Sequence, residues 1–231
     1  MNKTLIIPMA ADKAEYEMNI PYLFRLNRHG LMTCVAAIVG LDLSFFDRIY
    51  FTILKKHSQQ YLLKELFMLQ FKRIGIQEKT FVIELDIPTA SQPETIFQTV
   101  KQADLDGMIF IKDADSYFKS DVVEENSICT FPLDGLEYVN PQNKSYVNVD
   151  DMYYVTNIIE KRILGRDFCA GGYTFENASD FIYYYTLVKD YSPLYMSHII
   201  YAALLDNKNF RPIKVGDYKD WGTVRDWKEN E

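Results

Sequence analysis

The chain has 231 residues, of which 48% are hydrophobic, and this size allows one large core but not two full domains. Its formal net charge of −7 argues against nucleic acid or an anionic membrane surface as a partner. No apolar run approaches the roughly 20 residues that a membrane span needs, and the N-terminal segment lacks the pattern of a secretory signal. The cysteines, Cys34, Cys129 and Cys169, have no CxxC spacing and indicate reduced, buried thiols in a cytoplasmic protein.

The first half of the chain alternates predicted strands and helices. Buried strands are predicted over 4–10, 47–54, 80–85 and 107–112. Helices are predicted over 31–41, 58–76 and 91–103, with Ser58 and Ser91 as the N-caps of the second and third. Strands that are separated by one helix each predict parallel pairing with right-handed crossovers.

The second half changes character, because strand-like segments with turn residues between them follow one another. These segments are 127–131, 135–140, 151–161 and 166–175, and they favour antiparallel additions to the sheet. Two helices are then predicted over 176–190 and 192–208. The whole pattern predicts a single α/β domain with three layers, a mostly parallel mixed sheet flanked by helices. Residues 1–126 would form its parallel half and residues 127–231 its mixed half.

Two aspartates, Asp113 and Asp115, follow the fourth predicted strand directly, in the segment "IKDADSYF". Ligands of open α/β sheets bind outside the carboxyl ends of the strands. If the chain turns after Lys112, both carboxylates can reach one hard cation, which prefers oxygen ligands. The alternative interpretation is a turn in which the aspartate side chains bond the backbone.

Five short motifs occur along the chain in a fixed order: "IPMA", "DAD", "IIEK", "AGGYTF" and "DWGT". Together they resemble the sugar-phosphate nucleotidyltransferase family, whose GT-A-like domains join a nucleoside triphosphate to a phosphorylated sugar or small alcohol. The resemblance covers the chain from Leu5 to about Trp227. It implies the α/β fold already predicted from the order of strands and helices.

The resemblance implies a magnesium site and a nucleotide site. Magnesium would be held by Asp113 first, then by Asp115 and by Asp220 of "DWGT", with Asp113 and Asp220 also catalytic. The nucleotide would be contacted by Met9, Ala10, Ala11, Ser91, Gln92 and Asp113. A role as helix N-cap explains Ser91 equally well. For Asp220 the alternative is a structural role in a C-terminal turn that packs on the core.

The resemblance also implies an acceptor site. Lys161 of "IIEK" would contact the acceptor's phosphate and take part in catalysis, next to Asp220. Gly171 and Gly172, which lack a Cβ, would allow a sugar ring to approach closely. The alternatives are a solvated strand end for Lys161 and a β-bulge for the glycines.

The N-terminal loop departs from the family pattern. The family has a glycine-rich loop with an arginine and then a lysine, where this chain reads "ADKAEYEMN" and "NIPYLF". Glu15 stands in the place of the arginine and Tyr22 in the place of the lysine. Glycines let backbone N–H groups close on a triphosphate, and the cations neutralise its charge. Lys13, Arg25 and Arg28 are nearby cations that would have to substitute, although the two arginines equally suit an ordinary surface role.

Three functions follow from this pattern. The first is magnesium-dependent transfer of a nucleotidyl group from a nucleoside triphosphate to a phosphorylated small-molecule acceptor, for bacterial surface polysaccharide. The second is a DxD-type glycosyltransferase that uses a nucleotide sugar and needs no triphosphate loop. The third is a catalytically silent, nucleotide-binding relative. The sequence does not determine the base, the acceptor or whether the protein forms a homodimer.

Overall fold

The computed structural model describes residues 2–11, 20–135 and 143–230 of the chain. The strands within them are β1 (Lys3–Met9), β2 (Arg48–Leu54), β3 (Thr80–Leu85), β4 (Met108–Lys112), β5 (Ser116–Lys119), β6 (Ser127–Pro132), β7 (Ser145–Val149), β8 (Val155–Glu160), β9 (Asp167–Phe175), β10 (Arg211–Lys214) and β11 (Gly216–Asp220). The helices are α1 (Thr33–Ala36), α2 (Lys55–Tyr61), α3 (Leu63–Arg73), α4 (Gln92–Gln102), α5 (Ala178–Val188), α6 (Met196–Leu205) and α7 (Val224–Asn230).

One large mixed sheet organises the molecule, with its strands in the order β10-β6-β9-β4-β1-β2-β3. The predicted parallel half is present, since β1 pairs in parallel with both β2 and β4, and β2 pairs in parallel with β3. The predicted antiparallel additions are also present, because β9 runs antiparallel to β4 and β6 and carries the β7–β8 hairpin. A separate antiparallel ribbon joins β5 to β11.

Helices cover both faces of this sheet, as the alternation of side chains in β1 shows. Leu5 and Ile7 belong to the core beneath α1 and α3, whereas Ile6 belongs to the core beneath α4, α5 and α6. Successive side chains of a strand point to opposite faces, so a strand buried on both faces must be apolar at nearly every position. The predicted α/β class, with a mostly parallel mixed sheet flanked by helices, is confirmed.

The predicted helix over 58–76 is wrong at its start and is interrupted. Helix α2 already begins at Lys55, directly after β2, so Ser58 lies inside the helix and does not cap it. Ser58 is buried and hydrogen-bonds Glu84 of β3. Leu62 then adopts φ 51°, in the left-handed region, which separates α2 from α3.

The predicted helix over 31–41 is also shorter than expected, because only Thr33–Ala36 is α-helical. The chain at Gly40 runs against β5, so closely that a Cβ there would stand 2.0 Å from the Phe118 carbonyl oxygen. Leu41 then forms a parallel bridge with Ser120. Contact with this ribbon ends the helix, which sequence periodicity could not show.

Strand predictions in the second half are partly right. The strand predicted over 151–161 begins only at Val155, because the Asp150 carboxylate accepts hydrogen bonds from the N–H groups of Met152 and Tyr154 and closes a turn. Of the strand predicted over 135–140, residues 136–140 lie outside the described residues. Strands β5, β7, β10 and β11 were not predicted as separate elements.

Two further findings concern the cysteines and membrane-spanning segments. Cys34, Cys129 and Cys169 are free and buried, as expected. Within the described part of the chain, we find no helix that is long and apolar enough to cross a membrane.

Candidate functional site

The carboxyl end of β1 lies beside the loop that precedes α4. The Thr89 N–H donates to the Ala10 carbonyl at 3.1 Å, and Ala11 forms a parallel bridge with Thr89. The side chains of Met9 and Ala10 are buried, so this stretch offers its backbone and not its side chains to a ligand. The structure thus brings two predicted nucleotide-binding segments, 9–11 and 91–92, to the same edge of the sheet.

Ser91 and Gln92 have different tasks at the start of α4. Ser91 is the N-cap, and its hydroxyl accepts a hydrogen bond from the Glu94 N–H at 3.3 Å, so the helix-cap interpretation is confirmed. The Gln92 side-chain amide donates to Asp113 Oδ1 at 2.6 Å. Gln92, which was predicted to contact the nucleotide, therefore hydrogen-bonds Asp113, which was predicted to bind the metal.

The chain turns after β4, as the metal hypothesis required. The buried side chain of Lys112 stabilises this turn through hydrogen bonds. The fully buried Lys112 ammonium donates to the carbonyls of Asp113 and Ser116 and to the Ser116 hydroxyl, each at 2.8 Å. Burial lowers the pKa of Lys112 to about 8, opposed by the charges of Asp113 and Asp115. Sequence reasoning missed this lysine, because a lysine at the end of a strand is usually at the surface.

Gly171 leaves room for the Asp113 carboxylate. Its φ is +89°, and a Cβ there would stand 2.6 Å from Asp113 Oδ2. The Asp113 N–H also donates to the Gly171 carbonyl at 2.8 Å. A register shift in the β6–β9 pairing spans this point, so the β-bulge interpretation is confirmed. At Gly172 a Cβ would meet Cys129 Sγ and Phe118 Cζ at 2.8 Å, which shows tight core packing.

The β5–β11 ribbon places Asp220 beside the acidic turn. Asp220 pairs with Ser116 across the ribbon, and the Trp221 N–H donates to the Asp115 carbonyl at 2.8 Å. One carboxylate oxygen of Asp220 accepts the Gly222 N–H at 2.9 Å, and the other forms an ion pair with Lys144. Two segments that are more than a hundred residues apart in the chain are thus joined at one turn.

Tyr218 of β11 is affected by the charges of the acidic groups. Burial raises its pKa well above the ordinary value, and the negative charges of Asp220, Asp115 and Asp113 raise it further. The Lys144 ammonium donates to the Tyr218 hydroxyl at 2.7 Å. The charges of the three predicted metal ligands thus act on the same tyrosine, which is also contacted by a lysine that no motif indicated.

Lys161, the lysine matched by the "IIEK" motif, contacts a different group. Its backbone is left-handed, with φ 58°, and its exposed ammonium donates to the Tyr195 hydroxyl at 2.6 Å. The Lys161 N–H donates to the Lys144 carbonyl at 2.8 Å, so the two lysines are neighbours across the β7–β8 hairpin. The lysine that contacts Asp220 is Lys144.

The residues near the altered N-terminal loop have structural contacts. Tyr22 is buried in a cluster with Trp221 and Trp227, and its hydroxyl donates to the Gly222 carbonyl at 3.4 Å. Arg25 donates to the Ile20 carbonyl at 3.3 Å, and the exposed Arg28 donates to His29 at 3.2 Å. Lys13 and Glu15 lie outside the described residues.

The donor atoms of the acidic turn suit a magnesium ion. Carboxylate oxygens of Asp113 and Asp115 at a strand end are the hard ligands that Mg²⁺ prefers. Among the described residues, no group of three or more His, Cys, Asp or Glu side chains is arranged to hold a metal. The Asp220 carboxylate is neutralised by Lys144 instead. The oxygen donors are of the type that suits magnesium, but the described residues do not by themselves form a site with three carboxylate ligands.

A cavity of about 570 Å³ adjoins the acidic turn along the β5–β11 ribbon. Tyr117, Tyr218 and Trp221 form one part of its lining, with Asn27 and His29 on another. Asp113, Asp115 and Asp220 do not line it. The cavity is therefore a neighbour of the candidate site and not the site itself.

Several solved structures share this mostly parallel mixed sheet over nearly the whole chain. They include a nucleoside-diphosphate-sugar pyrophosphorylase from Vibrio cholerae RC9, at TM-score 0.80 and 14% identity over 98% of both chains. An inositol-1-phosphate CTP transferase from T. maritima matches at TM-score 0.73 and 12% identity, over 98% of this chain and 91% of that one. A UTP-bound UGPase from Acinetobacter baumannii matches at TM-score 0.68 and 13% identity, over 100% and 92%.

These similarities confirm the resemblance to sugar-phosphate nucleotidyltransferases at the level of the fold. No protein-family model matches the chain, and neither does any curated protein sequence. At identities of 12–14%, shared architecture alone does not carry over an activity. The function must be argued from the site.

Proposed function

We propose that this protein transfers a nucleotidyl group from a nucleoside triphosphate to a phosphorylated sugar or small alcohol, in a magnesium-dependent reaction. The observation that carries the proposal is the position of Asp113. Its carboxylate stands at the carboxyl end of β4, bonded to Gln92 of the α4 N-terminus and packed against Gly171 of β9. In an open α/β sheet this edge is where ligands bind.

Each group of residues has a proposed task. Backbone groups of Met9, Ala10 and Ala11, with Ser91 and Gln92, contact the nucleotide. Magnesium would be held by Asp113, Asp115 and Asp220, and when bound it would neutralise phosphate charge. Lys161, Gly171, Gly172 and Asp220 line the acceptor side. Residues 1–126 therefore serve mainly the nucleotide and residues 127–231 mainly the acceptor.

The reaction needs positioning and charge neutralisation and no covalent intermediate. An oxygen of the acceptor's phosphate attacks the α-phosphorus of the triphosphate. The bond from that phosphorus to the oxygen bridging to the β-phosphate breaks, and pyrophosphate leaves with the electron pair. Gln92 holds Asp113 in place through the 2.6 Å bond, and Lys112 keeps the turn that carries both aspartates rigid.

The solved structures that share the fold support the proposal of nucleotidyl transfer. They are a nucleoside-diphosphate-sugar pyrophosphorylase, an inositol-1-phosphate CTP transferase and a UTP-bound UGPase. We further propose that the product is an activated sugar or alcohol for bacterial surface polysaccharide and that the protein works in the cytoplasm. The proposal leaves the base and the number of subunits open, and a homodimer remains compatible with it.

One observation favours a second function, glycosyl transfer from a nucleotide sugar. Tyr22, which stands where the triphosphate-binding lysine is expected, is buried among Trp221 and Trp227. No cation therefore replaces that lysine at its own position. A nucleotide sugar carries two phosphates instead of three, so it demands less positive charge from this loop.

A thermal-shift panel separates these functions. Nucleoside triphosphates with Mg²⁺ should raise the melting temperature under the first proposal, and nucleotide sugars should do so under the second. Pyrophosphate release from a triphosphate and a panel of sugar phosphates, followed by coupled phosphate detection, then tests turnover directly. If neither ligand class stabilises the protein with Mg²⁺ present, both enzymatic proposals fail.

The residue-level test is Asp113→Asn, which removes one charge and keeps the shape of the side chain. We expect Mg²⁺-dependent nucleotide affinity to fall at least about tenfold, and pyrophosphate release about a hundredfold or more. Asp217→Asn is the matched control, because Asp217 lies on β11, the strand that carries Asp220, but is 62% exposed and paired with Lys119. Unchanged affinity in Asp113→Asn would mean that the acidic turn is purely structural.

A further inference from the structure

The helix pair α5 and α6 presents large apolar and aromatic side chains to solvent. Five of them, which we call the α5–α6 face, are between 46% and 69% exposed: Tyr183, Leu187, Tyr191, Tyr201 and Leu205. Tyr183 and Leu187 are about one turn apart on α5, as are Tyr201 and Leu205 on α6, so each pair forms a stripe along its helix. The opposite sides of both helices are buried in one core. Both stripes therefore face away from that core.

Contacts at both ends of the helix pair hold the two stripes together. At one end, the Tyr191 ring lies 5.6 Å from the ring of His198 in the first turn of α6. At the other end, Lys208 pairs with Asp180 of α5 at 2.9 Å. The face is therefore formed before any partner arrives, and a preformed surface loses less entropy on association.

The helices that form the α5–α6 face carry almost no charge. Helix α6 has no Asp, Glu, Lys or Arg over Met196–Leu205, and the one charged residue of α5, Asp180, is paired with Lys208. Lys189 and Asp190, which border the face, have opposite signs. Helix α3, which has the same length as α5, carries four charged residues: Lys64, Glu65, Lys72 and Arg73. Exposed apolar surface that lacks charge is typical of protein interfaces.

Charge and area favour a second copy of this chain as the occupant of the α5–α6 face. The chain has a net charge of −7, so two copies repel each other, and they meet at the lowest electrostatic cost through a face without charges. Such a face is also complementary to itself, as a two-fold dimer requires. Its five side chains expose roughly 100 Å² each, about 500 Å² together. With the smaller side chains between them, this area approaches the ~800 Å² per partner of a standard interface.

We propose that this protein forms a two-fold homodimer through the α5–α6 face. The dimer would bury tyrosine and leucine side chains that one chain alone leaves in water. In a two-fold interface, the same face of each copy meets the other, so a charge introduced there is introduced twice. The inference does not depend on the proposed function, because it rests on no residue of the acidic turn.

Leu187→Lys and Leu205→Lys, studied by analytical ultracentrifugation, test the proposal. Each replaces an exposed leucine in the last turn of its helix, where a lysine suits the helix dipole, so the fold of one chain should be kept. The wild-type protein should be dimeric at about 50 µM, and each variant should raise the Kd of the dimer about tenfold or more. Leu69→Lys is the matched control, because Leu69 of α3 is equally exposed but lies on a charged helix. It should leave the Kd unchanged.

The proposal is overturned if the wild-type protein is monomeric at about 50 µM, if both variants keep the wild-type Kd, or if Leu69→Lys weakens the dimer equally. A monomer that co-sediments with phosphatidylcholine vesicles, and loses this binding in Leu187→Lys, would overturn it and assign the face to a membrane. Should the variants unfold, the wild-type protein still decides. Its melting temperature should rise with protein concentration, and amide hydrogen exchange in α5 and α6 should slow. Absence of both changes would refute the dimer.

Discussion

Single positions around the acidic turn are occupied by residues that few others could replace. Gly171 is the clearest case, because its φ of +89° and its contact with Asp113 both exclude a side chain. The sequence predicted that a missing Cβ mattered there, on the hypothesis that a sugar ring approaches. The structure shows that the nearest group is a carboxylate of this chain. A sugar contact at Gly171 remains a prediction.

Gly171→Ala should lower the free energy of unfolding by about 2–4 kcal/mol, from backbone strain and from collision with the Asp113 side chain. Gly75→Ala is the control. Gly75 also has a positive φ, +73°, but no atom lies within 4 Å of the position its Cβ would take, so the substitution introduces backbone strain without a collision. Urea unfolding of both variants isolates the collision as the difference between them. Equal losses would show that Asp113 moves aside freely.

At the scale of elements, periodicity predicted which segments are helical better than where the helices end. The 91–103 prediction holds because its cap is local: Ser91 bonds Glu94 three residues later. The 58–76 prediction fails because Leu62 breaks the helix at a position where the apolar spacing of the sequence continues. Leu62, in the left-handed region, is 64% exposed, so its side chain contributes little burial.

Leu62→Gly should therefore raise the free energy of unfolding by about 0.5–1 kcal/mol relative to Leu62→Ala, because glycine adopts this conformation without strain. Both variants remove the same exposed side chain, and only one keeps the Cβ. Thermal or urea denaturation gives the comparison. A glycine variant less stable than the alanine variant would mean that the junction between α2 and α3 is not strained.

At the scale of the whole molecule, the C-terminal segment connects the candidate site to the opposite end of the chain. Trp221 and Trp227 pack with Tyr22 and Ala36, and the Trp227 indole N–H donates to the Thr33 hydroxyl at 2.9 Å. Strand β11, which carries Asp220, lies directly before this cluster. The position of Asp220 therefore depends on packing that involves residues near 22 and 36.

Trp227→Ala should cost about 3–5 kcal/mol of stability through the cavity it leaves. Amide hydrogen exchange should then quicken in 216–222 while β1 and β4 stay protected, because the sheet core does not contain Trp227. Mg²⁺-dependent nucleotide binding should weaken together with that local loss. Uniform loss of protection across the sheet would show instead that the cluster supports the whole fold.

The sequence alone determined the α/β class and the parallel pairing of the first four strands, and it indicated the two segments that carry Asp113 and Asp220 as candidates for the site. It could do so because alternation, caps and turn residues act within a few neighbouring positions. Tertiary structure decided which side chains meet: Gln92 with Asp113, and Lys144 with Asp220 across 76 positions. The Gln92–Asp113 contact depends on how α4 packs beside the end of β4, and the Lys144–Asp220 contact depends on the register of the β5–β11 ribbon and on the β7–β8 hairpin. No local pattern encodes that register, so Lys144 had no signal in the sequence.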